Sequence, residues 1–289
     1  MADEARRPLI AVDVGNSQIK LGWFPDPPTS TSSEAPREPV GTLPAPARTL
    51  TLSTRDPSLE ALAAWLGLES QGPAAARWRI ASVNRPAASR LIDWLRDREV
   101  APDLVLLASS DLPLEVRLPR PDMVGIDRLL AAVAVNVVRA AQRPAVVVSF
   151  GSAITVDLVD AGGAFCGGAI LPGIGMAARA MHEFTDLLPH VEVERATAPP
   201  PVLGTSTHDA LHAGLVWGAI GAVRELAHRY GQELGIEPEL FIGGGPAVQV
   251  VQPMLQPSRT VQQLVLSGIA LVAPAVERPD RPAGTSTPP

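Results

Sequence analysis

The chain has 289 residues, of which 46% are hydrophobic and 19% are charged, so it contains enough apolar material for sizeable buried cores. Its net charge of −6 at pH 7 argues against a general electrostatic attraction to nucleic acid, because such binding depends on Lys and Arg neutralising phosphates. The length favours two domains with a cleft between them over one large core.

Cysteine content and hydropathy indicate the compartment. The single cysteine, Cys166, cannot form an intramolecular disulfide, which suits a reducing environment. The first ten residues lack an apolar segment of signal-peptide length, and no stretch reaches the roughly 18 apolar residues that a membrane helix needs. We therefore expect a cytoplasmic protein.

The first predicted elements form a hairpin. Residues 9–14 and 19–24 read as two strands joined by the turn Gly15-Asn16-Ser17, and residues 25–46, rich in Pro, Ser and Thr, read as a long exposed loop. The rest of the chain alternates helices and strands. Helices are predicted at 58–66, 89–96, 126–141, 177–185 and 207–234, the last broken or kinked near Gly218 and Gly221; strands are predicted at 78–83, 104–108 and 239–242, with a final apolar element at 264–272.

A second predicted hairpin repeats the layout of the first. Residues 146–149 and 154–160 flank a turn through Gly151 and Ser152, again with a Gly and a small hydroxyl residue between apolar strands. Two such hairpins, each opening an α/β segment, suggest two similar lobes. Coincidence remains an alternative, because Gly and Ser are common in turns.

The first hairpin turn carries groups that suit an anion. Asp13 stands where an apolar strand meets the turn, the turn residues present backbone N–H groups, and Lys20 adds a cation. The same residues also fit a tight hairpin in which Asp13 bonds to its own turn.

The segment Gly125-Ile126-Asp127-Arg128 opens the Ala-rich helix. Asp127 has an ordinary explanation, because the helix dipole favours an acid in the first turn, whereas the dipole disfavours Arg128 there. An acid beside a guanidinium can accept a hydroxyl proton with one group and hold a substrate carboxylate with the other. From spacing alone, both explanations stay open.

Two glycine-rich turns permit a close approach to the backbone. Gly151-Ser152-Ala153 and Gly243-Gly244-Gly245 lack bulky side chains, so a nucleotide could lie against them, although plain tight turns explain them equally well. The chain has no G-x-x-x-x-G-K-[ST] pattern, and no G-x-G-x-x-G opens a helix after the first strand. The P-loop and Rossmann folds are therefore excluded.

Taken in order, these motifs resemble those of the type III pantothenate kinase family, which belongs to the acetate and sugar kinase, Hsp70 and actin superfamily. The resemblance extends from Leu9 to about Val272. It rests on D-x-G-N-[ST] at 13–17, Ser82-Val83, G-x-D-R at 125–128, G-[ST]-A-x-T-x-D at 151–157, and the segments 167–173, 204–207 and 243–244.

The resemblance implies an α/β protein with a duplicated ribonuclease H-like fold, the actin-like ATPase fold, in which two lobes hold ATP in a central cleft. It implies ATP- and Mg²⁺-dependent phosphorylation of pantothenate to 4′-phosphopantothenate, the first step of coenzyme A biosynthesis, by a homodimer. On this basis we expect lobes at 1–123 and 124–273 and a disordered tail at 274–289.

The resemblance also implies roles for individual residues. Asp127 would be the general base, and Asp13 would hold magnesium, directly or through water. The ATP contacts would be Asp13, Val14, Gly15, Asn16, Ser17, Gln18, Ile19, Lys20, Ser152, Gly243 and Gly244. The pantothenate contacts would be Leu118, Gly125, Ile126, Asp127, Arg128 and Thr207.

Two positions depart from the family pattern. Ser149 stands where relatives carry an aspartate associated with a monovalent cation such as K⁺ or NH₄⁺, and a neutral hydroxyl supplies an oxygen ligand without the full charge. Leu118 stands where many relatives have a tyrosine near the pantothenate pocket, so one hydrogen bond to substrate is lost. These departures keep two alternatives open: a catalytically weakened or regulatory relative resembling a transcription accessory factor, and a kinase of another small hydroxy acid.

Overall fold

The structure is a computed structural model that describes residues 7–25, 41–67, 76–193, 198–245 and 247–276. These residues form two compact units. The first contains 7–25, 46–67, 76–111 and 269–276, and the second contains 41–45, 112–193, 198–245 and 247–268. The predicted loop and the predicted disordered tail lie mostly outside the described residues, at 26–40 and 277–289. The lobe boundaries at 1–123 and 124–273 stay predictions.

The first unit is built on a five-stranded sheet. Its strands are β1 (Leu9–Val14), β2 (Gln18–Phe24), β3 (Arg48–Ser53), β4 (Arg77–Ser82) and β5 (Asp103–Leu106). Their order is β3-β2-β1-β4-β5, with the β1–β2 and β2–β3 pairs antiparallel and the β1–β4 and β4–β5 pairs parallel. Two helices, α1 (Leu59–Leu66) and α2 (Arg85–Asp97), pack on it around the buried side chains of Trp78, Ile80 and Leu95.

The second unit is built on another five-stranded sheet. Its strands are β6 (Ala145–Phe150), β7 (Ala153–Val159), β8 (Phe165–Pro172), β9 (Glu239–Gly244) and β10 (Arg259–Thr260), in the order β10-β9-β6-β7-β8. The remaining helices are α3 (Ile126–Val138), α4 (Ile174–Glu183), α5 (Thr207–Leu234), α6 (Ala247–Val251) and α7 (Leu264–Val272).

The two sheets have the same topology. In each sheet, the first three strands in sequence form an antiparallel meander. The two later strands lie on the other side of the first strand and run parallel to it. Parallel neighbours require crossover connections, which helices provide. The predicted fold class, a duplicated ribonuclease H-like α/β fold with two lobes, is confirmed, and so is the internal repeat suggested by the two hairpins.

Local sequence signals explain where several helices begin and end. The Ser58 hydroxyl accepts a hydrogen bond from the Ala61 amide at 3.2 Å, and the Asn84 side chain does the same for the Ala87 amide at 3.2 Å. Gly67 ends α1 in the left-handed conformation, with φ of 68°. The predicted helices near 58–66 and 89–96 are confirmed, the second beginning four residues earlier than expected.

Helix α5 differs from its prediction because it runs unbroken from Thr207 to Leu234. A side chain added at Gly218 or Gly221 would meet nothing within 4 Å, so these glycines mark open space beside the helix and no close packing that would bend it. Each glycine costs roughly 1 kcal/mol of helix propensity, which the surrounding Ala and Leu residues and the packing of Val216, Ile220 and Val223 offset.

Within the described residues, no helix has the length and apolar character required to span a membrane.

Candidate functional site

Helix α3 places Asp127 and Arg128 in its first turn. Gly125 occupies the N-cap without a side-chain hydrogen bond, and the apolar face of the helix buries Ile126, Leu129 and Leu130. The Asp127 carboxylate folds back on the helix terminus, where its Oδ1 accepts a hydrogen bond from the Arg128 amide at 2.9 Å. The buried face therefore fixes both side chains at the start of a rigid helix.

The environment of Asp127 changes its proton affinity. Burial raises the pKa of its carboxyl above the ordinary aspartate value, while the Arg128 amide and guanidinium act in the opposite direction. A carboxylate with a raised pKa is a stronger base than an exposed one. A raised proton affinity is one of the properties that a general base requires.

Arg128 is held by a buried carboxylate from β7. Its Nε lies 3.0 Å from Oδ1 and 3.2 Å from Oδ2 of Asp157, its Nη2 also donates to Oδ1, and only 2% of Asp157 is exposed. The guanidinium carbon lies 5.5 Å from the centre of the Phe165 ring, within cation–π range. Burial raises the pKa of Asp157, and the Arg128 guanidinium opposes that rise. Asp157 and Phe165 therefore fix the orientation of the Arg128 guanidinium.

Two glycines on β8 make room for Asp157 and for Leu118. Gly168 lies opposite Asp157 in the β7–β8 register, and a Cβ there would lie 2.6 Å from Asp157 Oδ1 and would collide with the Val156 carbonyl. Gly167 has a φ of 101°, and a Cβ at this position would lie 3.2 Å from Cδ2 of Leu118. Leu118, predicted from the resemblance to contact substrate, therefore lies beside the strand that packs on Asp157.

Ser149 lies on the same face of the sheet as Asp157. It is directly opposite Thr155 in the β6–β7 register, and Thr155 and Asp157 alternate by two along β7, so all three side chains share one face. Thr155 also hydrogen-bonds Asp157. Because Asp157 binds Arg128 of α3, this is the face that α3 covers, and a polar row runs from Ser149 to the first turn of α3.

The predicted glycine contacts meet at one edge of the second sheet. Gly243 and Gly244 end β9 opposite Ser149 and Phe150, and Ser152 lies in the turn that follows β6. Gly244 has a φ of 131°, and any Cβ there would collide with the Phe150 backbone. This edge is the carboxyl end of two parallel strands, where open α/β sheets bind their ligands.

Thr207 is the first residue of α5. The Ser206 hydroxyl caps this helix by accepting a hydrogen bond from the Asp209 amide at 3.1 Å, and both Ser206 and Thr207 are exposed. The Thr207 side chain therefore stands at a solvent-exposed helix N-terminus, a position whose free backbone amides favour anionic groups.

The turn with Asp13 and Lys20 belongs to the first unit. The two residues pair across β1 and β2, and the Gly15 amide donates to the Gln18 carbonyl at 2.9 Å. Thr54 is buried, follows the last residue of β3 and holds the turn in place. Its hydroxyl donates to the Gly15 carbonyl at 3.3 Å, and its amide donates to the Ser17 carbonyl at 3.0 Å. The exposed tip is therefore held in a fixed shape.

Asp13 suits a magnesium ion whose other contacts come from a bound phosphate and from water. Asp13 is half-buried at the end of β1, and the described residues hold no cluster of three or more His, Cys, Asp or Glu that could bind a metal alone. Magnesium is commonly held by one or two carboxylates together with substrate phosphates and water. One carboxylate at a strand end suits that arrangement.

The structure thus groups most predicted residues of the second unit into two sets, which the polar row connects, while Thr207 begins α5, which packs on the opposite face of the sheet. One is the α3 start with Leu118 nearby, and the other is the glycine edge with Ser149 and Ser152. Asp157 and Gly168 belonged to the sequence motifs without a specific contact assigned to them, and Phe165 was not singled out. The T-x-D spacing on β7 contained the relevant signal for Asp157, since alternate residues of a strand share a face.

Comparison with known proteins identifies the family. The family model described as type III pantothenate kinase matches residues 9–229. A protein of Rubrobacter xylanophilus named type III pantothenate kinase is 34% identical over 236 residues, which cover 80% of this chain and 82% of that protein. A protein of Methylacidiphilum infernorum with the same name is 36% identical over 62% of this chain and 66% of its own length.

A third relative of that name, from Paramagnetospirillum magneticum, is 40% identical over 137 residues, and the match spans about half of its length, 51%. The relatives are named as kinases, in agreement with the kinase motifs found in the sequence. Since the family match covers most of the chain and one relative aligns over four fifths of it, this protein belongs to the type III pantothenate kinase family.

Proposed function

We propose that this chain transfers the γ-phosphoryl group of ATP to the primary hydroxyl of pantothenate, forming 4′-phosphopantothenate, the first step of coenzyme A biosynthesis. The observation that carries the proposal is the first turn of α3, where a base with raised pKa stands beside an arginine locked by a buried carboxylate. Membership of the family supports the choice of pantothenate as substrate.

Asp127 accepts the proton of the attacking hydroxyl in this mechanism. Arg128 binds the pantothenate carboxylate with the N–H groups that Asp157 leaves available, which orients the hydroxyl toward Asp127. Gly125, Ile126 and Thr207 supply the rest of the pantothenate site, and Leu118 supplies apolar contact. Phosphoryl transfer requires mainly positioning and charge neutralisation, so one base and one fixed cation suffice on the acceptor side.

The phosphates of ATP would be held by backbone N–H groups of residues 13–20, by Lys20, and by the edge formed by Ser152, Gly243 and Gly244. Magnesium, held by Asp13 and the phosphates, would supply neutralisation of charge on the triphosphate. Ser149 offers a neutral oxygen at the position of the monovalent-cation site of relatives. We propose that the activity of this chain depends less on K⁺ or NH₄⁺ than it would if position 149 were an aspartate.

A homodimer is proposed from the distribution of exposed apolar side chains. Seven of the eleven large apolar side chains that are exposed among the described residues lie between 170 and 203 of the second unit, including Phe184 at 80%, Leu187 at 86% and Leu203 at 80% exposure. We infer that these side chains contribute to an interaction surface, because large exposed apolar patches are uncommon on monomers. The resemblance to the family implies paired subunits, which supports a second copy of this chain as the occupant.

Replacing both Phe184 and Leu187 with Asp is expected to convert the dimer to a monomer, because two carboxylates would have to be desolvated in the contact. Light scattering after size-exclusion chromatography would then give the 30.3 kDa mass of one chain. The control Leu106→Asp alters a residue that is 52% exposed in the first unit and is expected to leave the dimer intact. A wild-type chain that is monomeric at micromolar concentration contradicts the proposal.

The activity is tested by coupling ADP release to NADH oxidation, with and without pantothenate, in K⁺ and again in Na⁺. We expect Mg²⁺-dependent turnover that needs pantothenate and changes less than tenfold when Na⁺ replaces K⁺. Turnover with other small hydroxy acids but not with pantothenate would replace the proposed substrate, a result that Leu118 would explain. Binding of nucleotide and pantothenate without turnover would favour a regulatory role.

A further inference from the structure

The second unit contains a cavity of about 900 Å³ at the end of its sheet where β9 begins. The end of α5, the start of β9 and the segment before β10 line it, and we call it the basic groove after Arg143, Arg224, His228 and Arg259. Gly243 and Gly244 lie at the other end of β9, roughly 17 Å away by the rise of about 3.3 Å per residue. The basic groove is therefore distinct from the glycine edge described above.

Backbone carbonyls orient the three arginines of the basic groove. Arg143 Nε donates to the Glu237 carbonyl at 3.4 Å, Arg259 Nη1 donates to the Val138 carbonyl at 2.6 Å, and Arg224 Nη2 donates to the Met254 carbonyl. A carbonyl is neutral, so these bonds fix each guanidinium without cancelling its charge. Each guanidinium has five N–H donors, so most donors remain available to a ligand.

Carboxylates compensate only part of this charge. Glu239 lies 4.0 Å from Arg259 and also accepts a hydrogen bond from the Ala140 amide at 3.2 Å. Within the described ranges, no carboxylate lies within 4.0 Å of Arg143 or Arg224. Glu237 is exposed, so water and salt screen its charge. Two guanidiniums therefore face the basic groove without an ion-pair partner in the part of the chain described.

A buried hydroxyl adds a polar group to the same cavity. Ser258 lines the basic groove, and its Oγ is shielded from solvent with no hydrogen-bond partner among the described residues. A buried polar atom without a partner is uncommon in folded proteins and points to a ligand or water that completes it. Leu240, Leu255 and Pro238 add apolar surface, so the cavity suits an anion with an organic body.

We propose that the basic groove binds a small phosphate-bearing molecule, with Arg143, Arg224 and Arg259 holding the phosphate oxygens and the Ser258 hydroxyl donating to one of them. Guanidinium forks match phosphate oxygens in geometry and charge, and the cavity volume admits a molecule larger than a single phosphate. This inference does not depend on the proposed kinase reaction, because none of these residues belongs to the candidate functional site.

The test is calorimetric titration of inorganic pyrophosphate into the full chain saturated with a non-hydrolysable ATP analogue, which occupies any nucleotide site beforehand. We expect one additional binding site. Arg224→Gln and Arg143→Gln should each weaken it at least tenfold, since a charge-assisted hydrogen bond is lost in each variant. Acetate titrated in the same way should not bind, because a lone carboxylate engages fewer donors.

Arg229→Gln is the matched control. Arg229 lies on α5 like Arg224, is exposed, and pairs with Glu225 at 2.7 Å outside the basic groove, so its loss removes the same charge elsewhere. Pyrophosphate affinity should be unchanged in this variant. Should Arg224→Gln fail to fold, Arg143→Gln on the loop before β6 decides the question. Absence of binding to the wild-type chain, or equal weakening by Arg229→Gln, overturns the proposal.

Discussion

Asp127→Asn is expected to lower kcat by about 10² to 10⁴, the usual contribution of a general base, with little change in the KM for pantothenate. The amide keeps the shape of the side chain and can still accept the hydrogen bond from the Arg128 amide, but it cannot take the hydroxyl proton. Steady-state kinetics with pantothenate as the varied substrate measure the split. The wild-type rate should fall on the acid side at a pH above the ordinary aspartate pKa.

The same variant is expected to be more stable than the wild type at pH 7. Because burial raises the folded-state pKa of Asp127 above its unfolded value, the ionised carboxylate disfavours the folded state at pH values above both. Asn removes that cost, so the gain in unfolding free energy should be present at pH 7 and should disappear below roughly pH 4, near the unfolded pKa. Urea unfolding at the two pH values measures it.

Asp122→Asn provides the control for both effects. Asp122 is exposed five residues before Asp127, and its hydrogen bonds from Arg120 lower the pKa of its carboxyl. Its replacement should leave kcat unchanged and should not stabilise the fold. Full activity in Asp127→Asn would refute the role of Asp127 as general base, and lower stability than the wild type at pH 7 would refute the cost assigned to its buried charge.

Asp157→Ala is expected to lower the unfolding free energy by about 3–5 kcal/mol, because it removes the partner of a buried ion pair and leaves the Arg128 charge uncompensated. It should also raise the KM for pantothenate at least tenfold, since Arg128 loses the group that directs it. Urea unfolding and steady-state kinetics measure the two effects separately.

A double variant separates stability from substrate binding. Arg128→Met with Asp157→Val replaces the ion pair by apolar side chains, which is often neutral or stabilising in a buried position, and Val suits a strand such as β7. We expect this variant to regain most of the stability lost in Asp157→Ala while still binding pantothenate poorly. A double variant with a normal KM would show that Arg128 does not bind the substrate carboxylate.

The fold could largely be predicted from the sequence because its repeated unit is local. The two hairpins are short apolar strands joined by turns of small residues, and both β1–β2 and β6–β7 form where this pattern occurs. Each hairpin supplies the first two strands of one sheet, so their similarity indicated a duplication before any contact between distant residues was known. The two sheets with equivalent strand order follow from that repeat.

Three strands were missed for different reasons. Strand β10 has only two residues, Arg259 and Thr260, which is too short for a recognisable pattern. Strand β3 at Arg48–Ser53 has only two apolar residues, Leu50 and Leu52, and it lies at the edge of its sheet, where burial is weak. Strand β8 contains Gly167 and Gly168, which have low strand propensity. These glycines are explained by Leu118 and Asp157, which occupy the space beside them, and that reason exists only in three dimensions.

The site was predicted as separate motifs but not as an arrangement. Arg128 was singled out because an arginine in a helix's first turn opposes the helix dipole, and the predicted roles of Asp127 and Arg128 came from the resemblance to the family. The hydrogen bonds between Arg128 and Asp157 join residues 29 positions apart, and neither propensity nor periodicity reports such a contact. The sequence therefore predicted which groups act on a substrate, while the structure shows which contacts hold those groups in place.

Mass spectrometry of the reaction products tests the central claim most directly. The full chain is incubated with ATP, Mg²⁺ and pantothenate over a range of K⁺ and NH₄⁺ concentrations. We predict formation of 4′-phosphopantothenate by the wild-type chain and its near absence with Asp127→Asn. If the folded wild-type chain forms no phosphorylated pantothenate at any of these concentrations, or if Asp127→Asn forms it at the wild-type rate, the account is wrong.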